Sequence, residues 1–511
     1  MKKIFCRKIA AVVGCIATIL FANSCTKLTD NLSTDPVNIT DASQVPVPQL
    51  ISGVEVSLIG VYEGDVARTT GMWAQYFDGE DRQYAGLSNY VTSGLDYDNE
   101  WVTIFNGIFN NTKIIKSKSN AVNNFFATGV AQVMEGMAIG TAADLWGDVP
   151  YKEIAKYPII VTPKFDSQAS VYAAAQVLLD SAISNLSLSG KLGNEDFFYG
   201  GSTSKWKEAA HTVKARLYLH TRDYANALAQ ASQGISSAAG NMIAPHGNAI
   251  GQTYNLYYSF LTYDRSGYMA ANTAYAPTLL DPDPTNPNYR GNLKTNENGR
   301  FNFYYAPYAY WQGLNTGAKY DPNVVCNEEQ GFSWGVPVSL DGFFGCSAPY
   351  PILTYQENLL IIAETNMKIA TPDPTNALAA LNALRAYYNT GAQFGTSTGY
   401  ITDPDLGGGF YLPYAAADFT SGGMENLDNI DPNTALLREI LEERYVTFIA
   451  QIEGFNDERR TGNFLKLPTA PGKPNYPERC LYSQIEVNTN PNVPSTGVGL
   501  FDKVAAFSTA Y

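Results

Sequence analysis

Apolar residues recur at helical spacing in several well-separated stretches. Between Ser204 and Ile235, the positions Trp206, Ala210, Val213 and Leu217 fall 4, 3 and 4 apart, along one face of a helix. Arg222-Asp223 interrupts that face, and alternating alanines resume it from Tyr224. The stretch therefore predicts two short helices closed into an antiparallel hairpin. A second pair is predicted over Tyr355–Tyr388. Asp373 offers an N-cap, Pro374 fits the first helical position, and Gly391 lies just past the end. Leu437, Leu441, Tyr445, Phe448 and Ile452 form a third amphipathic run, expected to end at Gly454. Trp101–Ser119 and Ala121–Asp144 also read as helices.

Helix pairs of about 34 residues with these W…A…Y…A positions are similar to tetratricopeptide repeats. Here the pairs stand far apart in the chain rather than in tandem. Between them, Ile243–Tyr350 holds nine prolines among Asn, Gly and clustered aromatics, which predicts long ordered loops with short strands. Two aromatic clusters sit in such loops. One is Trp73, Tyr76, Tyr84, Tyr90 and Tyr97, interleaved with Gln75, Asp78, Asp81, Gln83 and Asn89. The other is Tyr304, Tyr305, Tyr308, Tyr310 and Trp311, followed by Gln312, Asn315 and Trp334. The chain carries 34 Tyr against 24 Phe, a bias toward rings with a polar tip that tolerate water. Sugar C–H faces stack on such rings, while amides and carboxylates bind the hydroxyls. Trp73, Tyr76, Tyr84, Tyr90, Tyr308, Tyr310, Trp311 and Trp334 are therefore the candidate ligand-contacting residues.

The first 25 residues address the chain. Lys2, Lys3, Arg7 and Lys8 precede a nearly uniform apolar stretch, Ile9–Phe21, the length of a signal segment and too short to span a bilayer. Ala22-Asn23-Ser24 then leads to Cys25. Ordinary secretory cleavage would leave Cys25 incidental. A small residue directly before a cysteine is, however, the bacterial lipobox arrangement, with Ala22 where leucine is commoner. The expected organisation is a lipoprotein signal over residues 1–24, a lipid-anchored tether over 25–48, rich in Thr, Asp, Asn and Pro, and a globular domain over 49–511. Acylation at Cys25 would anchor the chain stably.

The formal net charge is −14. Loss of the first 24 residues removes four positive charges and no negative one, leaving −18. Such a surface repels phosphate backbones and argues against nucleic acid as a partner. Cys326, Cys346 and Cys480 remain beyond Cys25 with no CxxC spacing. One disulfide with a free thiol and three buried thiols are both compatible with them. Three histidines leave little for a His-based site, and no metal or cofactor is expected. H-E-x-x-H, G-x-S-x-G and G-x-x-x-x-G-K-[ST] are absent. The carboxylate pairs Glu80/Asp81 and Asp96/Asp98 could serve a glycosidase, but 48 acidic residues bring such pairs together by chance. Asp281-Pro-Asp283-Pro lacks the spacing of a calcium loop and reads as a turn.

Five stretches in order resemble the SusD/RagB family of nutrient-binding outer-membrane lipoproteins. They are Asp144-Leu-Trp-Gly-Asp-Val-Pro-Tyr151; the run Trp206 to Leu219; Tyr350-Pro-Ile-Leu353 with Glu357 and Ala363-Glu364; Glu443 to Gly462 with Arg459-Arg460-Thr461-Gly462; and Arg479 to Asn490, where Cys480-Leu481 replaces an expected tyrosine-proline. The resemblance implies a mostly α fold, in which tetratricopeptide-like helix pairs support an irregular, loop-rich, ligand-facing half with short strands. It also implies a non-enzymatic protein held to the cell outer membrane by its lipid and facing outside. Such a protein captures oligosaccharides (or peptides) for a SusC-like TonB-dependent transporter. A lipid-anchored glycoside hydrolase is the alternative reading, and a helical adaptor a third that leaves the tyrosine-rich loops unexplained. The matched stretches themselves are expected to be structural.

Overall fold

Residues 44–249, 252–306, 320–326, 341–395, 399–402 and 408–511 are described by a computed structural model. Helix α1 (Val47–Glu63) buries Ile51, Val54, Leu58 and Val61, spaced 3, 4 and 3 apart as an amphipathic stripe requires. It is followed by α2 (Asp65–Trp73). Where Trp101–Ser119 reads as one helix, the chain runs as Asp98–Val102, a π-helical stretch Thr103–Asn110, and α3 (Asn111–Ala121). Asn123, at φ 56°, separates it from α4 (Phe125–Trp146). Helix α4 is buried nearly all round, with α3, α5 (Gln168–Asn185) and α6 (Thr203–His220) packed about it. Gly140 is what admits α6: a Cβ there would lie 2.6 Å from Leu217 Cδ2.

Both predicted hairpins form. Asp223 caps α7 (Tyr224–Ala231) by accepting from the Asn226 amide, which pairs α7 with α6. Thr354 caps α8 (Tyr355–Lys368). Asp373 caps α9 (Pro374–Tyr388), which has Pro374 at its start, and Gly391 beyond its end takes a positive φ of 72°. Helix α7 packs on α8, and α8 on α10 (Pro432–Thr447). Pairs far apart in sequence thus adjoin in space, and the described parts of the chain between α7 and α8 pack on the same core as loops and short strands. This is the predicted architecture: tetratricopeptide-like helix pairs bearing an irregular half.

One boundary differs from the sequence reading. The amphipathic run expected to continue to Gly454 breaks after Thr447. Ala450 is left-handed at φ 68°, and α11 (Ile452–Arg460) begins just beyond, with Gly454 inside it. The break has a distant cause. Ala450 O, freed from the helical pattern, accepts hydrogen bonds from both Tyr257 Oη and Tyr350 Oη at 2.9 Å.

The irregular half is stitched by two-stranded antiparallel pairs. Met242–Ala244 meets Tyr350–Leu353, Asp78–Gly79 meets Met269–Ala270, Thr295–Asn296 meets Phe410–Tyr411, and Tyr305–Ala306 meets Asp321–Pro322. Cys326 and Cys346 form a disulfide, while Cys480 is a buried free thiol. Between the two possibilities left open by the sequence, one disulfide with a free thiol is what forms. Asp281 and Asp283 accept from the amides two residues on, as turn formers do.

Candidate ligand-binding site

The first aromatic cluster lies in the core. Trp73 and Tyr76 are fully buried, and Tyr84 and Tyr90 are 3% and 6% exposed. Trp73 Nε1 donates to Leu87 O at 3.0 Å, and its ring meets the edge of Phe455. Tyr76 Oη donates to Tyr445 O, and Tyr445 Oη donates back to Ala74 O, both at 2.8 Å. Tyr84 packs on Phe260, and Tyr90 Oη accepts from the Ala470 amide at 2.8 Å. None of these four rings has a face open to a ligand in this structure. The reason is physical. A Gly/Asn-rich loop folds only over a core of its own, and a tyrosine fills that core while its hydroxyl serves the backbone groups that irregular chain leaves unpaired. Burial pushes the Tyr90 hydroxyl up to about 12. Tyr308, Tyr310, Trp311 and Trp334, like Cys25, lie outside the described residues.

The chain segments flanking that second cluster line a cavity of about 490 Å³ in the irregular half. Phe303 and Tyr304 end a short helix, Asn298–Tyr304, and Phe343 stands across from them, with ring centroids 5.6 Å and 4.9 Å away. Phe394 closes the same wall, 4.8 Å from Phe303. Helices α8 and α9 supply the rest. Tyr387, in the last turn of α9, is half-buried and meets Tyr355 edge-on at 5.7 Å; burial lifts its hydroxyl to about 12. Gln356, in the first turn of α8, and Gln393, in the 3-10 turn Ala392–Phe394, add amides. The side-chain oxygen Oε1 of each is buried without a hydrogen-bond partner. An unpaired buried acceptor costs about 1–3 kcal/mol, so the two amides mark a place where donors are wanted.

Beneath the cavity floor, Arg300 is held bidentately by Glu297 and also by Glu443, at 2.5–2.7 Å, and lies 4.9 Å from the ring centroids of both Tyr388 and Tyr411. Burial alone would raise the Glu443 carboxyl, but Arg300 and Arg290 hold it well below the usual carboxylate range. Arg300 is thus a fixed, neutralised part of the frame.

A second groove, about 640 Å³, opens on the helical side along Phe105, Phe109 and Tyr151. Its charged groups are already engaged: Lys116 pairs with Glu135, and Lys113 donates to Tyr157 O at 3.0 Å. The cavity in the irregular half, with unpaired acceptors in its wall, is the better candidate.

The five motif stretches build the frame around these openings. Gly147, at φ 78°, turns the chain after α4, where a side chain would be strained. Trp146 Nε1 donates to Leu481 O, Tyr482 Oη to Asp148 O and Arg479 Nη2 to Trp146 O, which fastens the turn to the closing segment. Arg216 grips Glu357 bidentately at 2.6 Å. Arg460 grips Glu364 at 2.5 and 2.7 Å and also bonds Asp457. Arg459 donates instead to the backbone carbonyls of Asp144 and Glu478 at 2.9 Å. Glu80, Asp81, Asp96 and Asp98, the chance carboxylate pairs, bond Asn272 and cap or fasten turns.

Residues 37–482 match the profile of a family described as SusD-like, starch-binding and associating with the outer membrane. The chain belongs to the SusD-like family. Among solved structures, a SusD/RagB family protein from Bacteroides thetaiotaomicron is 20% identical, with 91% of this chain and 98% of that one covered at a TM-score of 0.63. A chitin-binding protein is 19% identical (91% and 100% covered, TM-score 0.58), and a chitin-binding SusD homologue from Flavobacterium johnsoniae is 14% identical (90% and 99%, TM-score 0.61). At these identities the likeness is one of fold. No curated protein sequence matches the chain significantly.

Among the described residues, Tyr304 is the one cavity residue that the aromatic clusters pointed to. Phe343, Tyr387, Phe394 and the two glutamines were missed. Tyr387 sits on a predicted helix and so reads as ordinary packing, and Gln393 carries no local signal beyond its place after Gly391.

Proposed function

We propose that this SusD-like protein captures nutrient oligomers, namely glycans, outside the cell and delivers them to a SusC-type TonB-dependent transporter. Its signal would end at Ser24, and Cys25 would carry the lipid. The observation that carries the reading is the aromatic- and amide-lined cavity, set in the loop-rich half of a chain whose family is described as starch-binding. Rings that stack and amides that accept hydroxyl donors are the two groups a sugar needs. Solved relatives named as chitin-binding support glycan over peptide. Among the described residues, the cavity wall offers one carboxylate, Asp341, where hydrolysis of a glycosidic bond takes two; this favours binding without turnover.

Calorimetry of the purified protein against starch-, chitin- and hemicellulose-derived oligosaccharides, with a reducing-end assay on the same mixtures, tests the reading. At least one oligosaccharide should bind and persist intact. Reducing ends that accumulate in proportion to protein and time would replace capture by hydrolysis. Copurification of a TonB-dependent transporter with the lipoprotein tests the delivery step.

A further inference from the structure

The cavity's charge narrows the ligand class; this inference rests on the glycan reading above. Arg300 is the only cationic side chain among the described residues of the wall, and it is spent: 2% exposed, paired with Glu297 and Glu443, and flanked by two tyrosine rings. Behind it Glu297 and Glu443 are shared between Arg300 and Arg290, which leaves no spare positive charge there, and the wall itself carries the carboxylate of Asp341. The whole molecule works in the same direction, at −14 before any signal is lost. A carboxylate or sulfate entering this space would shed its water, meet no free cation among the described residues of the wall, and face a negative field.

What the wall does offer is acceptors. Gln356 Oε1 and Gln393 Oε1 are both buried and both unpartnered. They stand on separate elements, the first turn of α8 and the 3-10 turn after α9, that converge on one cavity. The last torsion of a glutamine is soft, so either oxygen can turn to an arriving hydroxyl or amide N–H. Such a donor would pair an oxygen that no described residue pairs. Phe303, Phe343 and Tyr387 add flat apolar surface beside them.

We infer that this cavity selects neutral oligosaccharides, read by hydroxyl or N-acetyl N–H donation to Gln356 and Gln393, and rejects uronate-containing and sulfated glycans. The test is a binding panel of neutral oligosaccharides (maltodextrin, chitooligosaccharide, xylan- and mannan-derived) against polygalacturonate and chondroitin sulfate fragments. Each is measured at low and high salt. The expected result is binding within the neutral set, with affinity that salt does not move, and none within the anionic set. Gln393→Leu should weaken that binding by about tenfold, the loss of one hydrogen bond to the ligand; because it also removes the Nε2 donation to Tyr388 O, affinity is measured on folded protein.

Binding of an anionic glycan as tight as any neutral one overturns the charge selection and leaves glycan capture standing. Neutral binding that ignores both Gln393→Leu and Gln356→Leu overturns the assignment of the cavity. If no glycan of either kind binds, the inference falls together with the reading it rests on.

Discussion

Trp73 shows how one residue type can carry two opposite meanings. In the sequence it stands among Gln75, Tyr76, Asp78 and Tyr84, a polar, aromatic context that suits sugar stacking as well as burial. The structure gives it no exposed surface, a hydrogen bond to Leu87 O and an edge contact with Phe455 on α11. What covers the ring lies more than 300 residues away, at Phe455, beyond the reach of local pattern. The two roles separate by experiment. Trp73→Ala should cost about 3–5 kcal/mol of stability, as truncation of a buried aromatic does, seen as a lower denaturant midpoint. Oligosaccharide affinity measured on the fraction that remains folded should be unchanged. A Trp73→Ala protein as stable as the parent but unable to bind glycan would return the ring to the ligand site.

At the scale of elements, most of the frame was legible because its determinants are local. Asp373-Pro374 announces the start of α9, and the spacing of Trp206, Ala210, Val213 and Leu217 describes α6. The break between α10 and α11 was hidden because two distant tyrosine hydroxyls hold it. The ties between helices were also hidden, though those that join α6 to α4, α8 and α11 each involve a motif residue. His220, at the end of α6, meets Asp144 of α4 at 2.8 Å and Glu453 of α11 at 3.1 Å; Arg216, one turn earlier, grips Glu357 of α8 and faces Glu453 at 3.5 Å. Burial pushes the imidazole toward its neutral form, but Asp144 and Glu453 prevail and raise it from 6.5 to about 9. A group whose folded value is raised gives stability that is complete below its unfolded value and lost as pH climbs through the folded one. Here the window runs from about 6.5 to 9, and the full effect is about 3 kcal/mol. Urea midpoints measured from pH 6 to 9.5 should therefore fall across that window, and His220→Gln should flatten the fall. A parent profile as flat as the variant's would mean that His220 is neutral in the folded protein.

For the molecule as a whole, fold and address are written in different parts of the chain. The SusD-like frame is made by the described residues between 44 and 511, where a disulfide joins Cys326 to Cys346 and burial lifts the Cys480 thiol to about 12. A disulfide beside an inert, shielded thiol suits an oxidising compartment outside the cytoplasm. The address rests on the first 25 residues alone: four bases, a short apolar segment, then Ser24-Cys25. Among the described residues no helix is long and apolar enough to cross a membrane; under the proposed function the attachment would be a lipid on Cys25. Eighteen residues, 26–43, separate Cys25 from the first described residue, Gln44. Even fully extended they reach about 65 Å at most, so a lipid on Cys25 would hold the start of the frame within that distance of the bilayer. Each buried methylene of an acyl chain contributes about 0.8 kcal/mol, and two chains suffice for stable anchoring. Cys25→Ala should remove every chain at once. Fatty-acid labelling should vanish, and the protein should move from the membrane to the soluble fraction with its melting temperature unchanged, because the frame owes nothing to the lipid. A Cys25→Ala protein that still incorporates fatty acid and sediments with membranes would show that the anchor lies elsewhere.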